Sequence, residues 1–173
     1  LQLINQHDPD TTEARYLEVI YGKTAKMFEA AAECSASLTG DQWRAVSVTY
    51  ARHLGAAFQI IDDVLDYTSS AEVMGKNVGD DLAEGKPTLP LIRAMAVASE
   101  PEADMVRHAI RTGGLEHLSD IIQLVQRCGA LEYSQARAQA EAEAAIAAVA
   151  KLPDTPHRTA LQALARLAVA RNS

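Results

Sequence analysis

The sequence predicts an all-α fold, and three observations carry that reading. Apolar residues make up 48% of the 173 residues and aromatics only 5%, alanine is abundant, and 9 Gly and 6 Pro punctuate the chain. That balance is helical in character. The apolar positions recur at helical spacing, as in Leu161, Leu164, Leu167 and Ala168. Breakers separate the helical stretches at Asp8-Pro9-Asp10, Gly113-Gly114, Gly129 and Leu152-Pro-Asp-Thr-Pro156. The length corresponds to one domain or part of one. A net charge of −7 argues against nucleic acid or an anionic membrane surface as the main partner. No run of 18 apolar residues occurs, so no transmembrane segment is expected and the chain reads as soluble. Cys34 and Cys128 match no metal spacing and are too few for a disulfide framework, which points to a reducing cytoplasm.

The elements follow in order. Leu1 to Asn5 reads as the tail of a helix. After the break, Thr11 or Thr12 caps a helix running to about Ser37, with Glu13 in its first turn. Tyr16, Leu17, Ile20, Met27, Phe28 and Ala31 share its predicted buried face. Thr24 projects from the middle of that face and Lys23 from its edge, while Lys26 points away. Taken singly, Thr24 reads as a hydroxyl bonded back to its own helix and Lys23 as a snorkelling lysine. Gly40-Asp41 opens a central helix through Trp43, Val46, Val48 and Tyr50 to about Tyr67, roughly 40 Å at 1.5 Å per residue. His53 stands alone on it and reads as a satisfied bystander. Later helices are expected from Thr88 to about Ser99, Glu102 to Arg111, Leu115 to Arg127, 130 to about 151, and Thr155 to Arg171. Glu132, Glu141 and Glu143 are assigned to the wet side of the alanine-rich helix. His108, His117 and His157 are isolated, and no chemistry is read beyond about residue 90.

The chemistry concentrates in Leu54–Tyr67. As a helix this stretch is apolar nearly all round, except for Gln59, Asp62, Asp63 and Asp66 at i, i+3, i+4 and i+7. Those four fall in a sector of about 100°. Ile60, Ile61, Val64 and Leu65 demand burial on both flanks, yet three carboxylates on one stripe repel and are costly to desolvate. A solvated acidic face accommodates the aspartates but not the flanks. A stripe facing a water-filled cavity and a cation accommodates both. Hard oxygen donors at this spacing suit Mg²⁺, which is usually held jointly by one or two carboxylates and a substrate phosphate. The segment Thr68–Thr88 follows directly and alternates Gly75, Gly79 and Gly85 with Lys76, Asp80-Asp81 and Lys86. Such glycines let backbone N–H groups approach an anion, and the lysines add point charges. The spacing is not that of a P-loop. Acids for a metal beside lysines for phosphate are what a magnesium–diphosphate site requires.

Three motifs together resemble the ordered motifs in the C-terminal half of the trans-polyprenyl diphosphate synthases. They are Lys23-Thr24, Gly55-x-x-Phe-Gln-x-x-Asp-Asp-x-x-Asp-Tyr67 and Gly75-Lys-x-x-Gly-Asp-Asp-x-x-x-Gly-Lys-x-Thr-Leu-Pro90. Gly75-Lys-Asn-Val-Gly-Asp-Asp-Leu82, Leu152-Pro-Asp-Thr-Pro156 and the terminal helix are most similar to the bacterial octaprenyl-forming branch. The resemblance implies the isoprenoid synthase helical bundle, with residues 1–173 as the C-terminal portion of its single domain. It implies that Asp62 binds a Mg²⁺ bridging the allylic diphosphate, with Asp63 and Asp66 completing the acidic metal-binding stripe or holding the ion's waters. Lys23, Lys76 and Lys86 would contact diphosphate oxygens, and Thr24 and Gln59 would face the reacting carbon. The implied catalytic set is Lys23, Thr24, Gln59, Asp62 and Lys76.

The implied reaction condenses an allylic diphosphate, such as farnesyl diphosphate, successively with isopentenyl diphosphate. Its product would be octaprenyl diphosphate for a quinone side chain, made by a homodimer. The family's earlier Asp-rich motif is not present: up to residue 50 only Asp8, Asp10 and Asp41 occur. The chain is therefore expected to match the C-terminal half and to end near the natural C-terminus. A terpene cyclase of the same broad fold is the competing enzyme reading, and its second metal motif usually carries Asn, Ser and Glu. A non-catalytic partner subunit or inactive fragment of a synthase is the reading from another class.

Overall fold

The computed structural model describes residues 5–38, 42–68 and 79–171. Among these residues the regular elements are all helical: α1 (Glu13–Ile20), a π-turn (Tyr21–Ala25), α2 (Lys26–Ser37), α3 (Arg44–Leu65), α4 (Asp80–Ala83), α5 (Leu89–Val97), α6 (Glu100–Thr112), α7 (Leu118–Arg127), α8 (Ala130–Val149) and α9 (Pro156–Val169). The all-α expectation holds. Caps set several boundaries. The Arg15 amide donates to Thr12 Oγ1 at 3.2 Å, which selects Thr12 over Thr11 as the cap of α1. The Glu102 carboxylate accepts from the Ser99 amide at 3.1 Å and its hydroxyl at 2.6 Å, so α6 starts two residues earlier than expected. The Arg158 amide donates to Thr155 Oγ1 at 3.3 Å, with Pro156 following at the first helical position. The expected opening of α3 at Gly40-Asp41 lies outside the described residues.

The expected single helix up to Ser37 is interrupted. The π-turn Tyr21–Ala25 adds a residue to one turn, so every later position rotates by about 100°. Buried positions therefore run Tyr16, Ile20, Ala25, Glu29, Ala36 rather than continuing the first face. Met27 is consequently 72% exposed and Ala31 is exposed, contrary to their predicted burial.

The chain forms two compact units. One comprises Leu1–Val19, Asp62–Gln135 and Asn172–Ser173, and the other Ile20–Ile61 and Ala136–Arg171. In the first unit Val64, Tyr67, Leu82, Leu91, Val106, Ile110, Ile121, Leu124 and Val125 form a continuous core with several alanines. Each large side chain fully buried there contributes about 1.5–3 kcal/mol. The Tyr67 hydroxyl pairs with Thr88 Oγ1 at 3.1 Å inside this unit, joining the end of α3 to the start of α5. Gly79 has φ +87°, and a Cβ there would lie 2.5 Å from Leu118 Cδ1. Only glycine serves at that turn.

In the second unit Tyr50 and Leu54 of α3 pack with Ala145, Ala148 and Val149 of α8 and Ala165 and Ala168 of α9. Alanines on both α8 and α9 allow a close approach, so small residues fill the seam. Leu164 and Leu167, expected on the buried stripe, are instead 49% and 64% exposed. His53 Nδ1 pairs with Glu141 Oε2 at 2.7 Å, which satisfies the lone histidine and takes Glu141 off the wet side. The π-turn and α2 run antiparallel to α3: Thr24 meets Gln59, Ala25 meets Gly55, Glu29 meets Arg52 and Glu33 meets Arg44.

At the tightest point of that crossing, a Cβ on Gly55 would lie 2.6 Å from Ala25 Cα. Replacing glycine by alanine inside a helix normally stabilises by up to about 1 kcal/mol. At Gly55 the clash is with backbone, so Gly55→Ala is expected to destabilise by about 1–3 kcal/mol. Denaturant unfolding reads the sign, and a stabilised variant would contradict the close crossing.

Candidate active site

Two groups of polar contacts gather on α3, one in each unit. In the second unit the Thr24 hydroxyl donates to Gln59 Oε1 at 2.6 Å. The hydroxyl is thus committed to a side chain on another helix and not bonded back to its own. Gln59 is buried, Thr24 is half-buried and Lys23 is exposed on the π-turn. The π-turn brings Thr24 into this contact while Ala25 takes the fully buried position beside Gly55.

In the first unit Asp63 is buried and accepts a hydrogen bond from the Tyr16 hydroxyl at 2.7 Å. Burial, and then the negative charge of Asp63, hold the Tyr16 phenol well above its ordinary pKa, so it remains a donor. Sequence reasoning took Tyr16 as a core residue only. The available signal was that a buried tyrosine needs a partner for its hydroxyl. Asp62 is half-buried on the same helix. Asp66 lies just beyond the end of α3, which stops at Leu65 rather than Tyr67. Its carboxylate accepts the Asp81 amide at 3.2 Å and its carbonyl accepts the Gly79 amide at 3.1 Å. Lys86 Nζ donates to Asp81 Oδ1 at 2.9 Å and pairs with Glu84 at 2.7 Å. Burial lowers the Lys86 pKa, but these two carboxylates outweigh it and the net shift is upward. Lys76 lies outside the described residues. The structure therefore joins Thr24 to Gln59, and Asp66 through Asp81 to Lys86.

Burial first, and then the charge of Asp81, push the Asp66 carboxyl up to about 6; the Asp81 and Asp80 amides oppose this, while the charge of Asp80 adds to it. The shift stems first from burial, which disfavours the charged carboxylate. Among the described residues no group of three or more His, Cys, Asp or Glu side chains is placed to hold a metal ion by itself. The donor set, all hard carboxylate oxygens, fits an ion that completes its coordination with substrate oxygens and water.

Residues 1–127 match the family model described as Polyprenyl synthetase. The chain belongs to the polyprenyl synthetase family. It is 51% identical to octaprenyl diphosphate synthase from Escherichia coli (strain K12), over 99% of this chain and 54% of that protein. It is also 51% identical to the all-trans-nonaprenyl-diphosphate synthase (geranyl-diphosphate specific) from Rhodobacter capsulatus, over 99% of this chain and 53% of that protein. Among solved structures, a polyprenyl synthase from Caulobacter crescentus CB15, complexed with calcium and isoprenyl diphosphate, matches with a TM-score of 0.93 and 40% identity. That match covers 99% of this chain and 54% of the other. The fold is thus the all-α isoprenoid synthase fold, and the chain spans about half the length of the curated relatives it matches. Among the described residues no helix of this family member is long and apolar enough to cross a membrane.

Two outcomes test this geometry. A carboxyl whose folded pKa is raised lends stability that is full below its unfolded pKa, near 3.8, and lost as pH rises through about 6. In chelator, Asp66→Asn should therefore melt above the parent at pH 8 and alongside it at pH 4. Equal melting temperatures at both would refute the crowding at Asp66. Tyr16→Phe leaves the buried Asp63 short of a donor, and urea unfolding should register a loss of about 1–3 kcal/mol.

Proposed function

We propose that this chain supplies the second aspartate motif and the lysine and threonine donors of a prenyl chain-elongating synthase. The observation that carries this reading is the 51% identity to an octaprenyl diphosphate synthase across 99% of the chain. The Thr24–Gln59 contact and the Asp62-Asp63 pair one turn further along α3 supply the matching chemistry. Mg²⁺, when bound with the allylic diphosphate, supplies charge neutralisation that makes the diphosphate a good leaving group. Asp62 would hold that ion directly, and Asp63 and Asp66 would complete the acidic stripe. Lys23, Lys76 and Lys86 would bind diphosphate oxygens, so the allylic C–O bond can ionise. Lys86 would have to give up Glu84 or Asp81 as it engages the substrate. The oxygen dipoles of Thr24 and Gln59 would favour the resulting carbocation. The double bond of isopentenyl diphosphate then attacks it, and loss of a proton regenerates an allylic diphosphate one isoprene unit longer.

The complete protein would act as a homodimer in a reducing cytoplasm, where Cys34 and Cys128 remain free thiols. An octaprenyl product destined for a quinone side chain is the preferred assignment. The nonaprenyl-forming relative at equal identity makes product length the point to measure.

The experiment incubates the protein with Mg²⁺, farnesyl diphosphate and labelled isopentenyl diphosphate and resolves the products by length. A ladder ending at eight isoprene units is expected, and chelation should abolish it. Asp62→Ala should lower turnover by about 10²-fold or more with the helical circular dichroism unchanged. Undiminished turnover in a folded variant would reject the role of Asp62. No product from the parent would favour the partner or fragment reading.

A further inference from the structure

The π-turn is an interruption that helix propensity alone does not explain, and a buried carboxylate sits one turn beyond it. Glu29 is only 5% exposed. Its Oε2 accepts the Tyr21 hydroxyl at 2.9 Å and Arg52 Nε at 3.1 Å, and its Oε1 accepts Lys26 Nζ at 2.5 Å. The Arg52 guanidinium lies 5.1 Å and the Lys26 ammonium 5.9 Å from the centre of the Tyr21 ring. Tyr21 is the first residue of the π-turn, Lys26 is the residue after its last, and Arg52 belongs to α3. One carboxylate thus ties together both ends of the irregular turn and the helix against which it packs. Arg52 and Gln59 are seven residues apart on α3, two turns along the same face.

Surface ion pairs contribute little, and half-exposed Lys26 and Arg52 would each be such a case with an exposed partner. Glu29 differs because its own partners cover it. A covered carboxylate with three donors resists any register in which one donor is displaced, and specifying register is the best-attested use of such groups. A regular α-helix from Tyr21 to Glu29 would rotate Tyr21 and Thr24 by about 100° relative to α2. It would part Tyr21 from Glu29 and Thr24 from Gln59 together.

We infer that Glu29 is a positioning residue: through Tyr21, Lys26 and Arg52 it locks the π-turn in the register that presents Thr24 to Gln59. Its effect on catalysis rests on the prenyl-transfer reading, whereas its effect on the turn does not.

The test is a double-mutant cycle on the purified protein, read in two ways. Glu29→Gln keeps the shape and removes the charge. The kcat for isopentenyl transfer is expected to fall about tenfold, with KM for both diphosphates within about twofold. Added to Thr24→Ala, Glu29→Gln should cost nothing further, because the two act through one contact. Amide hydrogen exchange should quicken at Tyr21–Lys26 and stay unchanged in α9. Losses that multiply in the double variant, or unaltered exchange across the π-turn, would overturn the inference. If the parent transfers no prenyl group, the functional reading fails, and the exchange measurement still decides the lock.

Discussion

The structure depends on burying a helix that carries its own polar chemistry. Around its C-terminal turns α3 places Ile60, Ile61, Val64 and Leu65 in the interior, and with them Gln59 and Asp63. Desolvating an amide and a carboxylate costs several kcal/mol if they go without partners. The surrounding segments therefore bring partners to fixed points: Thr24 to Gln59 and Tyr16 to Asp63. Just past the helix end, the Asp81 amide reaches Asp66. The apolar flanks hold the helix in place, and the polar partners decide which way its neighbours must face.

That demand explains local irregularities that would otherwise be costly. The π-turn departs from regular hydrogen bonding, and Gly55 gives up the intrinsic preference alanine has in a helix. Together they bring the backbone at Ala25 against α3 closely enough for a short threonine side chain to reach across. A longer side chain at position 24 would not need so close a crossing, but it would not deliver a hydroxyl at this distance. The irregular turn and the glycine are two parts of one solution.

The acidic groups are treated unequally although they repeat along one motif. Asp63 is buried and committed to Tyr16, Asp62 is half-buried, and Asp66 is raised to about 6 by burial and by Asp81 and Asp80. Three aspartates with one chemical identity thus have three environments. Under the proposed function, a cation shared with substrate oxygens would not need every one of these carboxylates to reach it.

Most of the fold was legible because its cues are local. Composition, helical spacing, Thr12 and Thr155 as caps, and glycine or proline breaks all act within a turn or two of chain. The motif residues were legible too, since buried flanks around Gln59, Asp62, Asp63 and Asp66 posed a conflict visible in the sequence. Three features were not. Met27 and Ala31 turned outward because one π-turn shifts every later position. Leu164 and Leu167 yielded the seam to Ala165, while Ala168 is buried as expected, because alanines on the facing helix admit a closer approach. Tyr16 and Glu29 became polar partners because residues 47 and 23 positions away, respectively, meet them in space. The sequence by itself determined the helices and the types of functional group they carry, since both follow from side-chain chemistry and short-range spacing. Only the tertiary structure decided which groups pair and how strongly each is buried, since those depend on distances between segments that no local pattern encodes.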